Sequence, residues 1–180
     1  MMRIIRMGLF FVIAISATVA MSALGCSSYQ EASKPNTSVT ARIMGYGIYK
    51  VLDPGTDYSR PESTAGYATQ GVKVTLINRT TRVPLQKGIV FGLDYEAEGF
   101  PPDAPALIVY RVKHPPITKP GGKITTGFDE PFPTMPKGGK LKTGNYYQLA
   151  EDWELVPGEW SIAVIYKDRV LVEKVFDILD

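Results

Sequence analysis

The sequence predicts an all-β domain, an antiparallel sandwich of two sheets. Three observations carry this reading. Short runs rich in Val, Ile, Tyr and Thr recur between turn clusters, seventeen Gly and fourteen Pro punctuate the chain, and no window of helical length keeps a three-four apolar period. The hydrophobic share of 44%, with ten Tyr, seven Phe and two Trp, is enough to fill a core in a chain of 180 residues.

The first 25 residues read as an export leader. Arg3 and Arg6 stand in a segment without acids, an apolar run follows from Met7 to Leu24, and Ala23-Leu24-Gly25 precede Cys26. A cysteine directly after Leu-Gly resembles the bacterial lipobox, which implies that Cys26 becomes the lipidated first residue of the mature chain. The common lipobox has Leu three residues before the cysteine, where this chain has Ala23. Residues 26–39 are polar and without apolar period, and read as a flexible tether. Residues 40–180 then form a single β-sandwich domain.

Within that domain the expected strands are Thr40–Lys50, Gly71–Asn78, Ile89–Tyr95, Ala106–Lys113, Tyr146–Leu149, Glu159–Lys167 and Arg169–Ile178, with a weaker one over Lys123–Phe128. The last two form a hairpin around a tight Lys167-Asp168 turn. Period-two alternation puts Trp160, Ile162, Val164 and Tyr166 on one face, and Val170, Val172, Phe176 and Ile178 on one face of the next strand. Pro115–Gly144, dense in Pro and Gly, reads as a long surface excursion pinned by Phe128 and Phe132. Seven or eight short strands with regular turns suit an immunoglobulin-like layout, with a small β-barrel as the alternative.

The formal charge of +2 belongs to the leader. Without Arg3 and Arg6 the 20 basic residues become 20 − 2 = 18 against 18 acidic ones, a net charge of zero. A neutral chain has no electrostatic footprint for nucleic acid. The lone Cys26 excludes an internal disulfide.

His114 is the only histidine and precedes two prolines. With no second histidine or free thiol beside it, a structural role is preferred over a base or metal ligand. No Gly-x-Ser-x-Gly elbow occurs, so a serine hydrolase is disfavoured. Acids cluster at Asp94, Glu96 and Glu98, at Asp129 and Glu130, and at Glu151, Asp152 and Glu154. Paired carboxylates serve glycoside hydrolysis, but alternation with Tyr95 and Ala97 reads more simply as a solvated strand face. Gly45-x-Gly47 and Gly121-Gly122-Lys123 lack the strand-to-helix setting of a phosphate loop. Tyr146, Tyr147, Trp153 and Trp160 lie close in sequence. Trp160 belongs to the core, whereas Tyr146, Tyr147 and Trp153, with His114, are the candidate binding residues.

Gly45-Tyr46-Gly47-Ile48-Tyr49, Phe91-Gly92-Leu93-Asp94-Tyr95, Val112-Lys113-His114-Pro115-Pro116, Trp153–Trp160 and Phe176 follow one another in an order that resembles a family of bacterial exported domains, domain of unknown function 3859. The resemblance covers most of Met44–Ile178. It implies a sandwich-like domain and no assigned reaction or functional residue.

The reading is a non-enzymatic lipoprotein of the cell envelope, held to the membrane through Cys26 and binding an envelope protein or glycan without metal or cofactor. Ser27 after the cysteine points to the periplasmic face of the outer membrane. A carboxylate-dependent hydrolase of envelope polysaccharide and a structural accessory domain are the competing readings.

Overall fold

The computed structural model describes residues 38–180. The leader, the lipidation site at Cys26 and all but the end of the tether lie outside the described residues. Among the described residues eleven strands and one 3-10 turn follow in order: β1 Thr40–Asp53, β2 Thr56–Ser59, β3 Tyr67–Gln70, β4 Lys73–Asn78, β5 Arg82–Pro84, β6 Val90–Glu98, β7 Ala106–Thr118, β8 Ile124–Thr134, β9 Lys140–Gln148, the 3-10 turn Asp152–Glu154, β10 Gly158–Tyr166 and β11 Arg169–Leu179.

They form a front sheet of order β4-β1-β6-β9, a back sheet of order β5-β11-β10-β7-β8, and a separate two-stranded ribbon of β2 and β3. All ladders are antiparallel except β5 on β11. The two large sheets pack face to face as an open sandwich and do not close into a barrel. Alternate residues of β6 (Phe91, Leu93, Tyr95, Ala97) meet Ile108 and Val112 of β7, Trp160, Ile162 and Val164 of β10, and Phe176 and Ile178 of β11. Phe91 sits edge-on to both Trp160 and Phe176, with centroids 5.8 and 5.2 Å apart. Val39, the last residue of the expected tether, is buried in this core.

Three expectations change. The excursion over Pro115–Gly144 is sheet: β7 runs on to Thr118, β8 pairs back along it, and β9 starts at Lys140. Proline is tolerated because β8 is an edge strand whose outer side has no ladder to donate to, and Pro115 and Pro116 fall at a register irregularity. Phe128 does pack on the core, while Phe132 lies against Tyr110 at 5.2 Å. In the last hairpin Val164 faces Val172 but Ile165 faces Val170, so Leu171 is an extra residue. That bulge turns Val170 outward, and it is 49% exposed. The Lys167-Asp168 turn has positive φ at both residues, as a two-residue hairpin of matching twist requires. Finally, the stretch between the expected strands Thr40–Lys50 and Gly71–Asn78 carries the β2–β3 ribbon.

Candidate functional site

β1 and β4 are the two arms of one long hairpin whose far half is the ribbon. The chain leaves the front sheet at Pro54-Gly55, where Gly55 has φ 71, and returns at Gly71. β2 and β3 pair only with each other. The ribbon is a strap, tied to the rest of the domain again at its far end. Tyr58 Oη donates to Glu130 Oε1 at 2.7 Å, Arg60 Nε lies 3.4 Å from the same oxygen, and Lys119 Nζ donates to Ser63 O at 2.8 Å. Beneath it lies a cleft of about 1210 Å³, bounded by the outer face of the front sheet, the strap, and the inward face of β8.

The strap's tip is sealed by a buried polar chain. Thr64 is fully buried and its Oγ1 lies 2.7 Å from His114 Nε2. His114 Nδ1 lies 2.7 Å from the Pro115 carbonyl, which only accepts, so we assign the proton to Nδ1. Nε2 is then the acceptor and the Thr64 hydroxyl donates. Burial holds the imidazole below its ordinary value, against the opposing bond to Pro115, and favours this neutral form. The ring lies on Trp160 at 4.8 Å. Next to it, Tyr147 Oη donates at 2.5 Å to Oε1 of Glu154, another fully buried group. Glu154 Oε2 accepts the backbone N–H groups of Ala150 and Glu151 at 3.0 and 2.9 Å. Burial pushes the Glu154 carboxyl up, and these three hydrogen bonds pull it back.

The cleft floor is a second cluster. Asp94 on β6 accepts Tyr49 Oη at Oδ2, 2.8 Å away, and Tyr146 Oη at Oδ1. The two rings meet edge to face at 4.8 Å. Burial, then the bond to Asp94, pushes both phenols up, so they stay protonated donors. Tyr146 reaches Asp94 by lying across Gly144 on its own strand; a Cβ there would collide with its hydroxyl.

Of the four residues expected on a binding surface, Tyr146 and Tyr147 line the cleft, Tyr147 from a buried position. His114 is buried behind the strap tip, held between the Thr64 hydroxyl and the Trp160 ring, and Trp153 packs against the core. The acids divide. Glu96 pairs with Arg42, Asp129 with Arg111 and Asp152 with Lys87, as a solvated surface predicts. Asp94 and Glu154 do not: both accept hydrogen bonds on each oxygen from donors inside the domain. The strap ties through Tyr58, Arg60 and Thr64 carried no signal in sequence, since they join segments far apart in the chain. Among the described residues no group of three or more His, Cys, Asp or Glu is placed to hold a metal ion.

Sandwich, strap and cleft together define an immunoglobulin-like β-domain. The layout is similar to that of an immunoglobulin-like protein from Pseudomonas aeruginosa, at a TM-score of 0.59 and 23% identity over 81% of this chain and 100% of that one. The chain belongs to the family described as domain of unknown function, DUF3859, whose sequence pattern matches residues 37–178. A further solved structure, the Pseudomonas fluorescens alkylpurine DNA glycosylase AlkC bound to DNA containing an abasic-site analogue, matches at 16% identity over 54% of this chain and 27% of that one; its TM-score of 0.38 carries no argument. No curated protein matches.

Proposed function

We propose that this chain is a lipid-anchored envelope protein whose immunoglobulin-like domain is a binding module, not an enzyme, and that the strapped cleft is its binding site. The cleft carries the reading: it is the place where aromatic and polar groups converge around an open volume large enough for a ligand. Hydrolysis is less well supported. Of the cleft carboxylates, Asp94 has both oxygens engaged by tyrosine hydroxyls, Glu130 holds Tyr58 and Arg60 on Oε1, and Asp57 holds the Thr69 hydroxyl on Oδ1, so each is tied into the strap or the sheet. The leader supports the address. Arg3, Arg6, the apolar run and Cys26 have the order a lipoprotein precursor needs, and Ser27 favours the outer membrane.

Two measurements test the two halves. Cys26→Ser should abolish incorporation of labelled palmitate and leave the precursor unprocessed; continued labelling overturns the anchor. For the cleft, a photo-crosslinking amino acid at Tyr67, which lines it, should capture a discrete partner band in living cells. The same group at Leu107, exposed on the back sheet, should not. Equal capture from both positions overturns the cleft as the binding site.

A further inference from the structure

Seven consecutive residues of β9, Lys142–Gln148, border the cleft. Side chains of a strand alternate between faces, so an unbroken run borders one space only when that space lies off the strand's edge. Among the described residues β9 pairs with β6 on one side and with no strand on the other. In an antiparallel ladder every second residue turns its N–H and C=O away from the partner, so β9 presents a row of free backbone donors and acceptors to the cleft.

The other edges differ. β5 has three residues and ends in Pro84, β4 has six, and β8 carries Pro131 and Pro133. β9 has nine residues and no proline. Across from it stands β8, whose Phe128 and Glu130 lie opposite the core residues Val112 and Tyr110 and share their face. These β8 side chains are less buried than their β7 neighbours, because β8 overhangs the front sheet instead of being covered by it. One more group points the same way: Asn145 Nδ2 is buried and has no acceptor among the described residues. A buried amide N–H without an acceptor is destabilising, and a ligand carbonyl would relieve it.

We infer that the cleft takes an extended polypeptide segment of a partner protein, which adds to the front sheet as a strand along β9. This rests on the reading of the cleft as a binding site and names its ligand class. A backbone ladder is the chemistry that matches a row of alternating N–H and C=O groups; a sugar or small metabolite matches only isolated points of it. Seven residues of strand cover about 23 Å. One alternating set of the segment's side chains faces inward onto Phe128, Val112 and the Asn145 amide. The other faces outward onto Tyr146 and the underside of the strap. The expected segment is therefore apolar at every second position.

The test uses the full chain in detergent micelles and a displayed library of random nine-residue peptides. Selected peptides should alternate apolar and polar residues and bind with a Kd of about micromolar. Each is then resynthesised with single N-methyl groups, which remove one backbone donor at a time. Methylation at alternate amides should weaken binding at least about tenfold, while the intervening amides tolerate it. Equal sensitivity at all amides, or no selected peptide, overturns the inference. An array of envelope oligosaccharides run in parallel separates the two failures: sugar binding without peptide binding overturns the strand and keeps the cleft, whereas neither overturns both.

Discussion

Replacing Thr64 by valine should unlatch the strap. The change keeps shape and volume and removes one hydroxyl, at a fully buried position whose Oγ1 lies 2.7 Å from His114 Nε2. With Nδ1 committed to the Pro115 carbonyl, the valine variant leaves Nε2 an acceptor without a donor behind the strap tip. An orphaned buried polar group costs about 1–3 kcal/mol, and the strap's opening equilibrium should rise by the matching factor, about 5- to 150-fold. The remaining ties, Tyr58 and Arg60 on Glu130 and Lys119 on Ser63, are less buried and are expected to hold less strongly. Native-state hydrogen exchange resolves this by region. Amides of Thr56–Gln70 should exchange faster by that factor, as should amides of the β10–β11 ladder that exchange only through global unfolding, because the native state itself is destabilised; ladder amides that open by local fluctuations without releasing the strap should be unchanged. Thr64→Ser keeps the donor and loses one methyl, and should fall between. Strap amides within twofold of wild type, or a serine variant as loose as the valine one, would show that the hydroxyl does not hold the strap.

Two further outcomes follow from the site. Glu154 has its carboxyl raised above 4.5, so the folded state binds its proton more tightly than the unfolded state; the stability this lends is present below 4.5 and is lost as pH rises through the raised value. His114 acts in the opposite sense: lowered from 6.5, it lends stability above 6.5 that is lost as pH falls. Glu154→Gln removes the first component only, and urea midpoints between pH 5 and 8 should shift in favour of the variant as pH rises; a pH-independent difference refutes the assignment. Gly144→Ala should push Tyr146 off Asp94 at a cost of about 1–3 kcal/mol, by crowding alone since φ there is not positive, and urea unfolding measures it. An unchanged midpoint would mean the ring does not lie across Gly144.

The strands that bury one face and carry no proline were legible: the alternation of Phe91, Leu93, Tyr95 and Ala97, or of Trp160, Ile162 and Val164, decides which side enters the core. What escaped was set by partners distant in sequence. The first half of β8 was legible as the weaker strand over Lys123–Phe128, but its second half was obscured because Pro131 and Pro133 argue against a strand until it is known to be an edge. The strap has no apolar face of its own. It is ordered by Thr64 meeting His114, 50 residues away, and by Tyr58 meeting Glu130, 72 residues away. Asp94 and Glu96 occupy the same face of the same strand, and alternation cannot separate them. Their fates differ because Gly144 stands opposite Asp94 and lets Tyr146 lie over it, whereas Lys142 stands opposite Glu96 and Arg42 pairs with it in solvent.

The strap and the open edge also explain one another. The back sheet has five strands and the front sheet four, so β8 overhangs and β9 is left without a neighbour. A nine-residue edge without proline is a template for unwanted pairing, which other β-proteins blunt with charge, bulges or a covering loop. Here Lys140 and Lys142 charge only one end. The remainder lies beside a cleft roofed by a ribbon that shares no ladder with it and is latched at its tip by side chains. On the strand-addition proposal, such a cover screens the edge from a second folded copy of the domain while admitting a single extended chain. On this reasoning a variant with a loosened strap should gain self-association as well as faster exchange, because the same edge serves both.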